Sequence, residues 1–246
     1  LNANTLRGSR RNIASHYDLG NDFYALWLDP SMTYSSARFD GDTTLSLQAA
    51  QTRKYQRMLD LIDLPDGQSL LEVGCGWGGF AEHAARTAGH QVRGITLSQE
   101  QLDHARKRIA RAGLSNSCQF EFQDYREEAQ QYDGIVSIEM FEAVGEAYWP
   151  TYFDTLKRSL KPGGRAVVQT ILIDDALFER YRSGSDFIQQ YVFPGGMLPS
   201  PSRFTEEAAR AGLQVTLQEN FGPDYAETLK RWRHRFHEQI DAVRAQ

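Results

Sequence analysis

Between Ser69 and Ile173 the chain alternates short apolar runs with helical patterns, and this alternation constrains the fold more than any other feature. Ser69 to Val73, Gln91 to Thr96, Cys118 to Gln123, Tyr132 to Ile138 and Arg165 to Ile173 read as strands. Gly78 to Thr87, Ser98 to Ala112 and Tyr148 to Leu160 read as helices between them. Strand, helix, strand at this spacing implies an α/β architecture, a mostly parallel sheet with helices on both faces. Two helices, Asn21 to Leu28 and Ser46 to Ile62, precede the sheet. Asp175 to Tyr191 and Glu206 to Ala211 follow as helices, Leu213 to Phe221 as a sixth strand, and the rest from Asp224 as a last helix.

Composition excludes more than it suggests. The net charge of -5 gives no reason to expect nucleic acid. No apolar run approaches the roughly 20 residues of a membrane-spanning helix, and no signal-peptide pattern opens the chain. The two cysteines, Cys75 and Cys118, lack metal-type spacing, which points to a reduced, cytoplasmic setting and to no metal site. Arg7, Arg10 and Arg11 form a small basic cluster that suits either a solvated arm or a foothold on anionic headgroups.

The strongest motif joins the first strand to the first core helix: Leu70-Leu71-Glu72-Val73-Gly74-Cys75-Gly76-Trp77-Gly78-Gly79. Glycines at such a turn let the backbone approach a ligand without a Cβ in the way. With an acid two positions ahead of the first glycine, the turn resembles the first motif of S-adenosylmethionine (AdoMet) methyltransferases, and implies a Rossmann-like class I fold. Ligands of open parallel sheets sit outside the carboxyl ends of the strands. Those ends supply Thr96, Leu97 and Gln101 after the second strand, and Asp124, Tyr125 and Arg126 after the third. Ser98 with Gln101 also fits a helix capping box, so Gln101 has two readings, cap or ribose partner.

Four further strings are less generic: His16-Tyr17-Asp18-Leu19-Gly20-Asn21-Asp22-Phe23-Tyr24, Asp29-Pro30-Ser31-Met32-Thr33-Tyr34-Ser35-Ser36, Ser137-Ile138-Glu139-Met140-Phe141-Glu142-Ala143-Val144-Gly145 and Phe193-Pro194-Gly195-Gly196-Met197-Leu198-Pro199-Ser200. Together they resemble the cyclopropane-fatty-acyl-phospholipid and mycolic acid cyclopropane synthases over nearly the whole chain. The resemblance implies a helical lid and substrate cover over residues 1–64 and an AdoMet-binding core over 65–246, with a helical insertion at about 175–212. Tyr34, Ser35, Glu72, Gly74, Cys75, Gly76, Gly78, Thr96, Leu97, Gln101, Asp124, Tyr125 and Arg126 would hold AdoMet. Glu142 would sit at the reacting centre, and His16 in the lid near the substrate mouth, in a structural or a catalytic role. Phe23, Tyr24, Trp27, Phe141, Tyr191 and Phe193 would be candidates to line an acyl tunnel, with ordinary core packing as the alternative for each.

The implied reaction moves a methyl group from AdoMet to the double bond of an unsaturated acyl phospholipid. A base then removes a proton from the resulting cation, giving a cyclopropane or a methyl- or methylene-branched chain. In the family that base resembles a bound bicarbonate held by a cysteine, a glutamate, a histidine, a tyrosine and backbone groups. Here Ser36 stands at the cysteine position, Gln169 at the histidine position, and Ala143 follows Glu142 where histidine is common. Serine and glutamine still hydrogen-bond an anion, but glutamine cannot become a cation. Ring closure is therefore the step most altered by these substitutions, and Glu139 is given no role. A small-molecule amine methyltransferase and a non-catalytic AdoMet- or lipid-binding module remain as rivals.

The start at Leu1 and the charged helical ending suggest a fragment or processed form, with a tyrosine segment and a last strand expected beyond Gln246. The basic and aromatic segment from Lys230 to Phe236 reads as a helix packing on that absent part, or as an interfacial membrane helix. A lipid substrate implies a cytoplasmic protein that docks peripherally on the inner face of the membrane.

Overall fold

The computed structural model describes residues 4–17, 19–185 and 187–245; Asp18, within the first family-like string, lies outside them. Helices α1 (Leu6–Tyr17), α2 (Gly20–Trp27) and α3 (Leu47–Ile62) precede the sheet. Strands β1 (Ser69–Val73), β2 (Gln91–Thr96), β3 (Cys118–Phe122), β4 (Tyr132–Ile138) and β5 (Leu160–Gln169) alternate with α4 (Gly79–Ala88), α5 (Gln99–Arg111) and α6 (Trp149–Ser159). All four pairings are parallel, in the order β3-β2-β1-β4-β5. The order reverses beside β1, so a crevice opens between the carboxyl ends of β1 and β4, where ligands of such sheets bind.

Two apolar layers flank the sheet. One packs α3, α4 and α5 through Met58, Phe80, Leu102 and Ile109. The other packs α6 with α7 (Asp175–Ser183) and α8 (Pro201–Arg210) through Trp149, Tyr152, Phe178 and Ala208. A third cluster lies over the crevice, where Tyr24, Trp27 and Phe39 meet Trp77 of the glycine turn and Trp232 of α9 (Gly222–Glu238).

Three expectations change. Leu213 to Phe221 forms no strand and has no ladder partner among the described residues; it is anchored where Glu219 meets Arg38 at 2.5 Å and also pairs with Arg57. Asp175 to Tyr191 is not one helix: α7 stops at Ser183, and a π-helical turn, Ile188–Val192, follows. The fifth strand starts five residues early, at Leu160, and the Lys161-Pro162-Gly163-Gly164 segment, with Gly163 at φ +80°, bulges at a register shift between Tyr132 and Gly134. The C-terminal helix packs on the lid. Asp224 accepts from the Phe39 and Asp40 amides at 3.1 and 3.2 Å, and Thr228 accepts from the Ala37 amide at 3.0 Å. Of the basic cluster on α1, Arg10 faces Glu127 at 3.4 Å.

Candidate active site

A cleft of about 1150 Å³, open mouth included, lies at the carboxyl ends of β1, β2 and β4. Of the residues assigned to AdoMet from sequence, Tyr34, Ser35, Glu72, Gly74, Cys75, Gly76, Thr96, Leu97, Gln101, Asp124 and Tyr125 all line it. Gly74 has φ +80°, and a Cβ there would meet the Met140 side chain at 2.8 Å. The motif needs glycine at this position for conformation and for space. Gly78 does not line the cleft: it packs α4 against α5, where a Cβ would stand 3.0 Å from that of Ala105. Arg126 also turns away. Its guanidinium pairs with Asp124 at 2.7 Å and donates to Asn4 O at 2.8 Å, tying the chain just before α1 to the core.

Gln101 resolves its two readings. Ser98 Oγ caps α5 by accepting from the Gln101 amide at 3.3 Å, but the Gln101 side chain does not return the bond. It accepts from Thr96 Oγ1 at 2.9 Å and faces the cleft, while the Ser98 amide donates to Thr96 Oγ1 at 3.2 Å. Glu72 is buried, with Oε2 unpartnered among the described residues, and desolvation raises its carboxyl well above the ordinary range.

The residues placed at the reacting centre are arranged differently from expectation. Ser36, Gln169 and Glu142 cluster, but none of them lines the cleft. Ser36 turns its hydroxyl to Ala37 O at 3.0 Å and offers only its amide. That amide donates at 2.8 Å to Glu139 Oε1, which also accepts from Gln169 Nε2 at 2.9 Å. The Glu139 amide donates back to Gln169 O at 2.8 Å. Glu139, given no role from sequence, is thus the hub of the cluster and the member that reaches the cleft. It holds a left-handed backbone, φ +49°, which no sequence pattern announces.

Glu142 lies behind, taking the Ile171 amide on one oxygen and leaving Oε2 buried without a partner among the described residues. Burial pushes its carboxyl up to about 8, and the neighbouring Glu139 adds to the shift. Desolvation raises Glu139 too, opposed by Lys54, Ser36 and Gln169.

Lys54 was also missed. It is fully buried on α3, donates to Ser35 Oγ at 2.5 Å, and desolvation lowers its ammonium to about 7 against the pull of Glu139, Asp29 and Glu72. Its sequence signal was a charge on the stripe Ala50, Lys54, Met58, Ile62, which is otherwise apolar. Tyr225 of α9 stands within electrostatic reach of Tyr34, Glu139 and Glu142, although a tyrosine was expected only beyond Gln246.

His16 sits under the lid. Its Nδ1–H donates to Val192 O at 3.0 Å, its ring stacks on Tyr34 with centroids 5.7 Å apart, and its Nε2 has no partner among the described residues. Desolvation lowers its pKa, and its ring packs against Phe193. Of the aromatics considered for a tunnel, Phe193 lines the cleft. Tyr24 and Trp27 fill the lid core with Phe23 packed against them, Phe141 is fully buried under α6, and Tyr191 is 71% exposed. Among the described residues no acid, histidine and cysteine group could hold a metal, and no helix is long and apolar enough to cross a membrane.

The parallel sheet, the glycine turn after β1 and the cleft at the strand ends define a class I AdoMet methyltransferase fold. The structure superimposes on mycolic acid cyclopropane synthase CmaA1 complexed with SAH and CTAB with a TM-score of 0.89, at 32% identity over 96% of this chain and 86% of that one. Residues 4–246 match the family model for mycolic acid cyclopropane synthetase, and the chain belongs to that family. It is 41% identical over 96% of its length to tuberculostearic acid methyltransferase UfaA1 of Mycobacterium tuberculosis, covering 56% of that protein. It is 37% identical over 90% of its length to cyclopropane-fatty-acyl-phospholipid synthase of Escherichia coli, covering 55% of it. The chain thus spans about half the length of the curated relatives it matches. By their names these relatives act on fatty acyl chains, and the amine reading gains nothing from them.

Proposed function

We propose that the protein transfers a methyl group from AdoMet to the double bond of an unsaturated acyl chain in phospholipid, giving a cyclopropane or a methyl- or methylene-branched product. One observation carries this reading: a single cleft joins the glycine turn, shaped for a nucleotide cofactor, to a half-buried carboxylate beneath an aromatic lid. The residues fit AdoMet. Gly74 and Gly76 open the turn, Glu72 faces the place for the amino-acid part, Thr96 and Gln101 offer polar atoms for ribose, and Asp124 and Tyr125 flank the place for adenine. Bound there, AdoMet supplies an electrophilic methyl on sulfur.

The chain's own residues do the rest. Tyr17, Tyr34 and Phe193 present rings at the cleft, suited to a cation on the acyl chain. The lid keeps water from that cation, and Glu142 holds the buried wall behind it through the Ile171 amide. A lipid substrate calls for peripheral docking at the cytoplasmic face of a membrane.

The test is proton NMR of lipid recovered after incubating full-length protein with AdoMet and unsaturated phospholipid vesicles. High-field cyclopropane protons identify a ring-closing enzyme, and exomethylene or branched-methyl signals a non-cyclising one. Unchanged lipid, with AdoMet binding intact, overturns the reading.

A further inference from the structure

The bicarbonate expected from the family resemblance does not fit this site. The donors available for such an anion, the Ser36 amide and the Gln169 side-chain NH2, both point to Glu139 Oε1, at 2.8 and 2.9 Å. The Ser36 hydroxyl is turned to a carbonyl, and Lys54 Nζ is committed to Ser35 Oγ. An anion entering here would also meet the Glu139 carboxylate, which already takes both donors, and the buried carboxyl groups of Glu142 and Glu72 offer it no positive charge. Like charges in a low-dielectric pocket repel strongly.

We infer that Glu139 takes the place of the bicarbonate: its carboxylate is the built-in base that removes the proton from the methylated acyl chain. The assignment rests on the lipid-methylation reading above. Two independent observations support it. Glu139 stands between the cluster and the cleft, with Oε1 fixed by two donors and Oε2 accepting no hydrogen bond among the described residues. It also adopts φ +49°, a conformation that costs a non-glycine residue on the order of 1 kcal/mol and persists where the surroundings impose it. That backbone is held by the Gln169 carbonyl, and the side chain by the Gln169 amide, so one residue on β5 fixes both ends of the base. A neutral glutamine suits a built-in anion, because the carboxylate is tethered covalently and needs no cation to recruit it. Burial raises both carboxyl groups, but Lys54, the Ser36 amide and the Gln169 side chain oppose the rise at Glu139, which favours the charge of the pair there.

The step balances. The alkene π pair bonds the sulfonium methyl carbon while the carbon–sulfur pair stays on sulfur, leaving the other alkene carbon positive. Glu139 then takes a proton from the new methyl or from an adjacent carbon. The freed C–H pair closes the ring or forms a new double bond. The neutral Glu139 passes its proton to water once the product has left the cleft, and the lipid's charge is unchanged.

Two arms test this on the full-length protein. In the first, carbon-13 bicarbonate is titrated with protein and S-adenosylhomocysteine, without lipid, and line broadening is read by NMR. Wild type is expected to leave the bicarbonate line unchanged, and Glu139→Gly, which frees the two donors and suits φ +49°, to broaden it. In the second, turnover on unsaturated phospholipid vesicles is measured in buffer stripped of carbon dioxide and again with bicarbonate added. Wild type is expected to change less than twofold. Glu139→Gln is expected to lose at least 100-fold with AdoMet affinity within threefold, and Glu139→Gly to regain activity with bicarbonate. Bicarbonate binding to wild type, a wild-type rate that needs bicarbonate, or Glu139→Gln turnover within twofold of wild type would overturn the assignment. If no variant methylates lipid at all, the lipid reading fails, and the binding arm still decides which anion the site holds.

Discussion

Replacing Glu142 by glutamine should change how stability depends on pH, and the size of the change follows from the site. A carboxyl raised from 4.5 to about 8 on folding binds a proton in the native state that the unfolded state has already lost across that interval. Stability therefore falls as pH rises, by about 1.4 kcal/mol per unit for one such group, and its contribution is fully present below 4.5. Lys54 works oppositely in a different window. Lowered from 10.5 to about 7, it is neutral in the native state while still charged in the unfolded chain above pH 7, so its contribution rises with pH there. The clean window for Glu142 is thus pH 5 to 7. Across it, wild type should lose about 2–3 kcal/mol more than Glu142→Gln. The assay is urea unfolding at pH 5, 6 and 7, followed by the fluorescence of Trp27, Trp77, Trp149 and Trp232, all buried. Parallel profiles for wild type and variant would refute the claim that Glu142 is neutral at pH 7.

Two further outcomes are expected. Gly74→Ala places a Cβ 2.8 Å from Met140 Cγ at φ +80°; AdoMet affinity by calorimetric titration should fall at least tenfold, and stability by about 1–3 kcal/mol, so unchanged affinity would remove the turn from the cofactor site. Glu219, held at about 2 by Arg57 and Arg38, contributes stability that is present above 4.5 and lost as pH falls through about 2. After allowance for its partial exposure, Glu219→Gln should cost about 1–2 kcal/mol at pH 7, and the gap should close by pH 2 in urea melts.

The sequence by itself determined the alternating parallel sheet, the glycine turn and most of the residues that line the cleft. Each of these is written locally: strands in apolar runs, Ser98 in a cap, Gly74 in a turn that tolerates no Cβ. Strands β1, β2 and β4 fall at the boundaries read from sequence. The reacting centre is not local. Ser36, Glu139 and Gln169 lie 103 and 30 residues apart and meet only when β4 and β5 pair beneath the segment after the lid helices. From sequence, Glu139 was one acid among many, because its left-handed backbone exists only where the end of β4 is fixed to Gln169. Leu213 to Phe221 erred in the opposite direction: its pattern suited a strand, but a strand needs a partner, and this segment has none. The tertiary structure alone decided that the C-terminal helix closes the third apolar cluster through Trp232, and that the Ser36 amide and the Gln169 side chain both donate to Glu139. The physical reason is the same in each case, since hydrogen bonds and burial between distant segments carry no signature in the local sequence.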